Sequence, residues 1–510
     1  MYHNASSRRT FLRLAGTAAL GWLAPSPFLG LARGEDATGL SPALAPAADP
    51  WATAAAIQAR IRPPVFPRRD FLITDFGAVG DGEKNCTDAI TRAIAACHGA
   101  GGGRVVVPDG PFLTGAVELK SGVNLHLAER AVLRFSREPR HYLPVVATRW
   151  EGVELMNYSP LIYAYGQRNI AITGRGTLDG QASEQFWWPW KGGAGRPAPN
   201  QNADRERLMA MGAAGVPVKE RVFGDGHYLR PNFIQPYRCS RVLVEGVTIL
   251  NSPMWEIHPV LSQNVTVRDV TINSHGPNND GCDPESCRDV LIERCRFDTG
   301  DDCIALKSGR NNDGRRVNVP VENVVIRDCV MADGHGGVTV GSEISGGARN
   351  VFAERCRMDS PLLDRALRIK TNSVRGGVVE HVYMRDVTVG QVAEALVTID
   401  YFYEEGDTGK FPPVVRDVEM RRVTSKKSKY AVLLRGYAHD PIQNVRLVDC
   451  TFDGVASADI VEHVTGLELT NVKINGKPAL VKPQRPSDAA GVLATGSDRV
   501  LPCELQLAVL

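Results

Sequence analysis

Val265-Thr-Val-Arg-Asp-Val-Thr-Ile272 alternates apolar and polar residues, which is the pattern of a β-strand with one buried face. The same eight-residue phrase occurs at Val242–Ile249, Val290–Phe297 and Val324–Met331, and it returns five more times before residue 475. The sixth residue of each copy is apolar, and these residues stand at positions 247, 270, 295, 329, 356, 387, 423, 450 and 472. Intervals of 22 to 36 residues, with a floor near 22, are typical of a solenoid whose coils carry loops of different length.

The repeated strands decide the fold class. No helical pattern of adequate length separates one copy from the next, which excludes a doubly wound sheet and a barrel of alternating strands and helices. One strand cannot bury its apolar face alone, so successive coils must stack and share a core. The sequence therefore predicts an all-β, right-handed parallel β-helix, with residues 70–510 forming a single domain.

One amphipathic helix is expected upstream of the repeats. Its apolar residues follow the i, i+3, i+4, i+7 pattern: Ile90, Ala93, Ile94 and Cys97. Asn85 and Thr87 precede them and are good helix caps. Because the end of a solenoid exposes unpaired strand edges, we expect this short helix to cap the N-terminal end.

The N-terminal 34 residues resemble a twin-arginine export signal. Arg8 and Arg9 precede an apolar stretch of about ten residues, which is too short for a membrane span of roughly 20 residues. We therefore expect a bacterial protein that is exported to the periplasm or secreted, without stable membrane insertion. Residues 35–69 are rich in alanine and proline and predict a linker or a surface wrap.

Charge and cysteine content restrict the function classes. The formal net charge is +2, and it becomes −2 without residues 1–34, which hold four arginines and no acidic residue. This balance gives no support for nucleic-acid binding.

With eleven cysteines, at least one lacks a partner within the chain. Four cysteines at the sixth position of the phrase predict buried thiols: Cys295, Cys329, Cys356 and Cys450. Cys282 and Cys287 are close enough in sequence for either a local disulfide or two free thiols.

Polar, glycine-rich clusters follow several of the strands. They are Asn278–Asp283, Gly300–Cys303, Gly334–Gly336 and Arg368–Lys370. Stacked coils would bring three carboxylates, a histidine and two cations onto one surface. An inverting glycosidase uses two carboxyl groups roughly 6.5–9.5 Å apart, and crowding of carboxylates raises at least one pKa, which keeps a proton donor available near neutral or mildly acidic pH.

These clusters resemble the four signature motifs of glycoside hydrolase family 28, the polygalacturonase family, and the similarity extends back to residues 74–78. The resemblance implies that Asp301 is the general acid, that Asp280 and Asp302 position and deprotonate the attacking water, and that His335 tunes the acid. It also implies four substrate-binding residues, which are Arg368, Lys370, Tyr403 and Asn279. Tyr403 is favoured over Tyr401 by alignment, and Asn279 replaces a threonine that is usual in these enzymes. No cofactor and no metal ion is implied.

The implied activity is hydrolysis of α-1,4-galacturonosyl linkages in an acidic polysaccharide, with inversion. Three alternatives stay open: a rhamnogalacturonan hydrolase, a calcium-dependent pectate lyase that uses the aspartates as ligands, and a non-catalytic β-helix that binds polysaccharide.

Two insertions interrupt the repeat near the predicted site. Residues 181–231 contain three tryptophans, Trp187, Trp188 and Trp190, and predict either an aromatic wall at one end of the groove or a loop that packs on itself. A wall would make the enzyme exo-acting, with release from the non-reducing end. The polar loop 310–316 either lines the groove or is solvated.

Overall fold

The computed structural model describes residues 49–193 and 199–479, which form a parallel β-helix. Successive coils contribute one strand to each of the long sheets, and the strands stack in chain order without crossovers. Two antiparallel strand pairs lie at the margins, Val146–Trp150 with Val153–Asn157 and Lys473–Ile474 with Lys477–Pro478. The predicted fold class is confirmed.

Three sheets form the faces of the solenoid. Sheet 1 consists of Asp70–Leu72, Gly103–Val107, Val123–Leu127, Arg168–Gly174, Ser240–Glu245, Gln263–Arg268, Arg288–Glu293, Val321–Arg327, Ala348–Glu354, Val378–Arg385, Val414–Arg421, Ile442–Val448 and Val464–Thr470. Sheet 2 consists of Gly110–Thr114, Ala131–Phe135, Thr177–Asp179, Thr248–Leu250, Thr271–Ser274, Arg296–Thr299, Val330–Asp333, Arg357–Met358, Thr388–Val389, Thr424–Ser425, Thr451–Phe452, Lys473–Ile474 and Lys477–Pro478. Sheet 3 begins with Val117–Glu118, Ile162–Tyr165 and Ile234–Tyr237 and resumes with Ile304–Leu306, Val338–Gly341, Arg365–Lys370, Ala395–Asp400, Tyr430–Arg435 and Ile460–Glu462. A side sheet is formed by Val146–Trp150, Val153–Asn157 and Val222–Phe223.

Helices are few and short in the described part of the chain. The α-helices are α1 (Pro50–Arg60), α2 (Thr87–Gly99), α3 (Asn202–Ala213) and α4 (Asn311–Val317). The 3-10 helices are Ile73–Phe76, Pro139–Tyr142, Trp188–Lys191 and Val218–Glu220. None of these helices is long and apolar enough to cross a membrane.

One continuous apolar core runs along the solenoid. Equivalent valines of successive phrases pair in register, for example Val265 with Val290 and Val290 with Val324, and all nine sixth-position residues are buried. The cysteines at this position are buried free thiols, as the pattern predicts. Cys282 and Cys287 are also free and buried, so the structure does not contain the local disulfide. The Cys287 thiol instead donates to the carbonyl oxygen of Pro259 at 3.2 Å.

Helix α2 caps the N-terminal end of this core, as predicted. Its buried face consists of Ala89, Ile90, Ala93, Ile94 and Cys97. Asn85 Oδ1 accepts a hydrogen bond from Thr87 N at 2.9 Å, which satisfies an otherwise free amide of the first turn. The apolar face of the helix thus covers core that would otherwise be exposed at the first coil.

Helix α1 lies inside the segment that the sequence predicts to be a linker or a wrap, and it packs on the outer surface of sheet 1. Trp51, Ala54 and Ile57 are buried on this face. Their partners on the sheet are Leu291, Val325, Phe352 and Tyr383. The Trp51 ring meets Phe352 edge-on at 5.5 Å, and the Arg385 guanidinium lies 3.8 Å from the centre of the Trp51 ring. The proposed export signal, residues 1–34, lies outside the described residues.

Sheet 3 loses its regular strands at two consecutive coils. Between Ile234–Tyr237 and Ile304–Leu306, the coils are joined by isolated pairs, Ile257 with Cys282 and Cys282 with Ile304. The backbone on this face is therefore irregular at the level of residues 257–285. Asp280 lies in this interruption, and the acidic pair Asp301-Asp302 directly precedes the strand where the sheet resumes.

Candidate active site

The turns between sheets 2 and 3 of two consecutive coils bring the predicted carboxylates together, and the turn of the next coil adds His335. One side-chain oxygen from each of Asp280, Asp301 and Asp302 lies within 4.8 Å of the corresponding oxygens of the other two. Backbone hydrogen bonds hold these turns in register, from Gly281 N to Asp302 O at 3.0 Å and from His335 N to Asp301 O at 3.1 Å. The three carboxylates thus form one compact cluster.

Gly334 allows the close approach of two of these turns. Its φ angle is +143°, and a Cβ atom at this position would lie 2.5 Å from the carbonyl oxygen of Asp301. Any side chain would therefore push the His335 turn away from Asp301, which gives the first glycine of the Gly-His-Gly motif a steric reason.

Asp302 is fixed by two cations. Lys370 Nζ donates to Asp302 Oδ2 at 2.7 Å, and Arg368 donates to Oδ1 at 3.3 Å. The Thr339 hydroxyl adds a third bond to Oδ1 at 3.0 Å. Burial acts to raise the pKa of Asp302, but Lys370 and Arg368 outweigh it and hold the pKa below its usual value. Asp302 is therefore an immobile carboxylate that stays ionised.

Asp301 is paired with His335. Its Oδ1 lies 3.0 Å from His335 Nδ1, and the same oxygen accepts a hydrogen bond from Asp302 N at 3.0 Å. The hydrogen bond between His335 and Asp301 and the negative charge of Asp301 raise the pKa of His335 to about 9. Burial acts to raise the pKa of Asp301, but the His335 hydrogen bond and charge hold it below its usual value. With 18% of its side chain exposed, against 4% for Asp280 and 0% for Asp302, Asp301 is the carboxylate most accessible from the cleft.

Asp280 is the member of the cluster whose pKa is raised. Burial and the neighbouring Asp301 raise its pKa to about 8, although Lys307 opposes this shift. Lys307 Nζ lies 3.4 Å from Asp280 Oδ2, 3.5 Å from Asp283 Oδ1 and 3.3 Å from Glu343 Oε2. Because interacting acids titrate as a group, the proton belongs to the Asp280–Asp301–Asp302 cluster rather than to one residue.

A cleft of about 630 Å³ opens above the carboxylates. It is lined by Glu151, Lys191, Arg205, Trp255, Pro277, Asn278, Asp280, Gly300, Asp301, Lys307, Arg310, His335, Ser342, Glu343, Arg368, Lys370, Tyr403 and Glu404. A second cavity, of about 370 Å³, adjoins it towards the C-terminal coils and shares Arg368, Lys370 and Tyr403 with it. The groove thus continues along sheet 3 on the C-terminal side.

Of the two candidate tyrosines, Tyr403 borders the cleft. The Lys370 ammonium and the Arg368 guanidinium lie 5.2 and 5.7 Å from the centre of its ring. Tyr401 is fully buried in the core, where its hydroxyl accepts a hydrogen bond from Val415 N. The structure therefore places Tyr403, and not Tyr401, beside the two cations.

Asn279 is placed differently from the sequence-based prediction. It is fully buried, and its side-chain amide donates to the carbonyl oxygens of Ser252 and Met254 at 3.0 and 3.1 Å. Its Oδ1 accepts from Ser274 Oγ at 2.7 Å and from Gly276 N at 2.8 Å. Its hydrogen-bonding groups are thus used within the protein, so Asn279 holds the turn instead of contacting substrate. The preceding residue, Asn278, borders the cleft.

The long insertion combines the two arrangements that the sequence left open. Its tryptophans pack on other aromatic rings, with Trp187 5.5 Å from Tyr142 and Trp190 5.1 Å from Tyr228. None of these three tryptophans lines the cleft, whereas Lys191 and Arg205 of the same insertion do. The insertion therefore borders the N-terminal side of the cleft with cations instead of aromatic rings.

The loop 310–316 contributes Arg310 to the cleft and then forms α4. Arg310 contacts four acids, at 3.4 Å from Glu151, 3.4 Å from Glu343, 3.1 Å from Glu404 and 3.7 Å from Glu405. It connects the coil of the catalytic cluster with the loop after Tyr403. The structure thus places the start of this loop in the groove.

Sequence reasoning missed Lys307, Glu343 and Lys191. Lys307 directly follows the apolar strand Ile304–Leu306. Its position five residues after Asp302 is the feature of the sequence that could have indicated a cation near the carboxylates. Glu343 and Lys191 lie in segments without a motif. Their positions depend on how the coils stack, which local sequence does not report.

Two groups of side chains in the described residues could hold a metal ion by geometry. One is the catalytic cluster, and the other is His275, Asp298 and Asp333. Calcium prefers six to eight oxygen ligands. In the catalytic cluster, amino and guanidinium groups of Lys307, Lys370 and Arg368 already contact the carboxylate oxygens. This donor set fits a metal-free site.

Comparison with known proteins agrees with the signature motifs. The model of glycosyl hydrolases family 28 matches residues 224–474. A probable polygalacturonase of Vitis vinifera is 30% identical over 401 residues, covering 76% of this chain and 74% of that protein. An exo-poly-alpha-D-galacturonosidase of Dickeya chrysanthemi is 27% identical over 385 residues, covering 70% and 62%. The crystal structure of a hyperthermoactive exopolygalacturonase from Thermotoga maritima matches with a TM-score of 0.81 and 46% identity, covering 84% of this chain and 96% of that one. With its motifs, its solenoid and these relatives, this chain belongs to glycosyl hydrolase family 28.

Proposed function

We propose that this protein hydrolyses α-1,4-galacturonosyl linkages in polygalacturonan or its oligosaccharides and releases products from the non-reducing end. The observation that carries the proposal is the meeting of three carboxylates with Arg368 and Lys370 in one cleft. The carboxylates supply acid and base for hydrolysis, and the cations suit the carboxylate of a uronic acid. The polygalacturonases among its relatives support this choice of substrate.

Asp301 is the proposed general acid because it is the most accessible of the three carboxylates. In the free protein its pKa is low, whereas a general acid must carry a proton when the substrate binds. The proton held by the cluster at Asp280 resolves this conflict, since the two carboxylates lie within 4.8 Å of each other. A galacturonate carboxylate bound to Lys370 would also weaken the pull of Lys370 on Asp301, which raises the pKa of Asp301.

In the proposed reaction, Asp301 gives its proton to the glycosidic oxygen as the bond from C1 to that oxygen breaks. A water molecule held by Asp302 attacks C1 from the opposite face, and Asp280, which has passed its own proton to Asp301, accepts the one proton that the water loses. The leaving sugar departs with a hydroxyl group, and the cluster regains its proton. His335, as the imidazolium, lowers the pKa of Asp301 and so makes it a stronger acid.

Inversion at C1 is proposed from the way Asp302 is held. The 4.8 Å limit applies to the nearest oxygens, so by itself it does not distinguish inverting enzymes, with carboxyl groups about 6.5–9.5 Å apart, from retaining enzymes, with about 5–5.5 Å. A retaining mechanism, however, needs a carboxylate that can form a covalent bond to C1. Asp302 is tied by Lys370, Arg368 and Thr339 and is suited to orient a water molecule. The anomeric configuration of the product decides between these mechanisms.

Exo action is proposed from the unequal ends of the groove. Coils stack in chain order, so Glu151, Lys191 and Arg205 border the N-terminal side of the cleft and Tyr403 lies on the C-terminal side. The N-terminal side is bordered by the insertion, whereas the C-terminal side leads into the second cavity. A chain end would fit against the insertion, with the remainder of the polymer extending over sheet 3.

The test follows the products formed from polygalacturonan and from defined oligogalacturonides. We expect mono- or disaccharide release from the first minutes, with little loss of viscosity, and no release by the Asp301→Asn variant. Oligomers labelled at the reducing end should keep the label in the longer product. A rapid fall in viscosity with mixed products would contradict exo action, and inactivity on all galacturonides would contradict the substrate assignment.

We also infer that the protein works outside the cytoplasm, which the Arg8-Arg9 segment supports. Changing both arginines to lysine should leave the protein in the cytoplasmic fraction of a bacterial host. Unchanged export of this variant would contradict the inference.

A further inference from the structure

A lysine of the insertion lies in the cleft without an ion-pair partner among the residues that the structure describes. Lys191 ends the 3-10 helix Trp188–Lys191 and lines the N-terminal side of the cleft. Its neighbours in sequence hold it in place, since Trp187 and Trp190 pack 4.9 Å apart and Trp188 Nε1 donates to the Ser252 carbonyl oxygen at 2.9 Å. The backbone that carries Lys191 is thus fixed by the contacts of the tryptophans around it.

The other cations on this side of the cleft are already paired. Arg205 lies 2.7 Å from Glu151, and Arg310 contacts Glu151, Glu343 and Glu404. Across residues 49–193 and 199–479, Lys191 forms no ion pair within 4.0 Å. Burial lowers the pKa of Lys191, Glu151 opposes this, and the charges of Arg230 and Arg205 lower it further. A half-buried ammonium with these neighbours gains most from an anionic ligand.

We propose that Lys191 binds the carboxylate of the terminal galacturonate and makes the site specific for a uronic acid at the chain end. The inference rests on the proposed function. Arg368 and Lys370 lie on the other side of Asp301 along the stack of coils. Two uronate carboxylates, one on each side of the bond to be cleaved, would then have separate cationic partners.

This arrangement makes a distinct prediction about selectivity. A terminal sugar that lacks the negative charge would leave Lys191 buried without its counter-ion, which costs binding free energy. The enzyme should therefore prefer chains that end in free galacturonate over chains that end in galactose or in the methyl ester. The preference should depend on Lys191 and not on the general charge of the cleft.

The experiment crosses two substrates with three variants. The substrates are trigalacturonate and the same trimer whose non-reducing terminal carboxylate is methyl-esterified. The variants are Lys191→Met, Lys191→Arg and, as a control, Lys426→Met, which changes an exposed lysine outside the cleft. For Lys191→Met we expect kcat/KM on trigalacturonate to fall by about 10- to 100-fold, mostly through KM, with little change on the esterified trimer. Lys191→Arg should retain the preference for the free acid, and Lys426→Met should match the wild type.

Equal losses on both trimers, or a Lys191→Met variant that matches Lys426→Met, would overturn the inference. Binding of trigalacturonate to Asp301→Asn protein, measured by calorimetry with and without Lys191→Met, gives a readout that needs no turnover. Wild-type protein that hydrolyses neither trimer would refute the proposed function, while the calorimetry still decides the role of Lys191. Thermal unfolding of each variant excludes misfolding as the cause.

Discussion

Replacing Lys307 by methionine should destabilise the protein and move its pH profile. Lys307 is buried and lies 3.3–3.5 Å from three carboxylates, Asp280, Asp283 and Glu343. The acids raise the pKa of Lys307 well above its usual value against the effect of burial, so it is fully charged. Methionine keeps the length of the side chain and removes the charge.

The magnitude follows from these contacts. At an effective dielectric constant of about 20, unit charges about 3.4 Å apart attract by about 5 kcal/mol, and desolvation cancels much of this. Removing one partner of a buried ion pair typically costs about 3–5 kcal/mol. Glu343 keeps Arg310 at 3.4 Å, whereas Asp280 and Asp283 lose their nearest cation. We therefore expect Lys307→Met to lower the free energy of unfolding by about 3–5 kcal/mol.

The same substitution should act on activity through Asp280. Lys307 favours the ionised form of this carboxylate, and its removal raises the pKa of Asp280 above about 8. The alkaline limb of the kcat/KM profile should consequently move to higher pH. A shift of the alkaline limb to higher pH is opposite in direction to the shift expected if the substitution only damaged the cleft.

Urea unfolding and the pH dependence of kcat/KM measure the two effects. Asp283→Asn serves as the matched second variant because it changes one of the carboxyl groups that Lys307 contacts, at 3.5 Å. In the double variant, the loss of stability should be smaller than the sum of the single losses by about 1–3 kcal/mol. A Lys307→Met protein within about 1 kcal/mol of wild type, or an unmoved alkaline limb, would refute this reasoning.

Three further predictions follow from the same contacts. Asp301→Asn should lower kcat by about 10²- to 10⁴-fold and leave the dissociation constant for trigalacturonate nearly unchanged, since it removes the acid but not the binding cations; turnover close to wild type would exclude Asp301 as the acid. The wild-type kcat/KM should fall as pH rises through about 8, because the cluster then loses the proton that burial and Asp301 keep on Asp280; constant activity up to pH 10 would contradict this assignment. Trp51→Ala should release α1 from sheet 1, at a cost of about 3 kcal/mol for a buried tryptophan, and expose residues 49–61 to protease while activity persists; resistance equal to wild type would show that the helix does not depend on this contact.

The sequence predicts the solenoid because its signal is repeated. Each phrase is weak by itself, but nine copies with apolar sixth positions require the same buried strand in nine coils. Helix α2 is predictable for a similar reason, since four apolar residues fall on one face beside cap residues. Helix α1 has no such pattern, because its alanines fit a linker as well as a helix, and burial of Trp51 depends on a distant sheet.

In the candidate site too, some residues can be predicted from the sequence and others cannot. Residues in signature motifs, such as Asp301 and Lys370, can be assigned from local sequence together with the order of the motifs. Asn279 belongs to a motif and yet holds a turn, because the direction of its side chain depends on the fold of residues 252–276. Lys307 and Lys191 reach the cleft through stacking of coils, which the sequence does not encode in any short segment.

The most direct test of hydrolysis at the three carboxylates follows purified protein acting on trigalacturonate by proton NMR, with and without a calcium chelator. We expect saturated products that first appear as the β-anomer and then equilibrate, formed at a rate that the chelator does not change. A first product with the α-anomeric configuration would contradict inversion and the role of Asp302 in orienting water. Unsaturated products that disappear with the chelator would contradict hydrolysis itself.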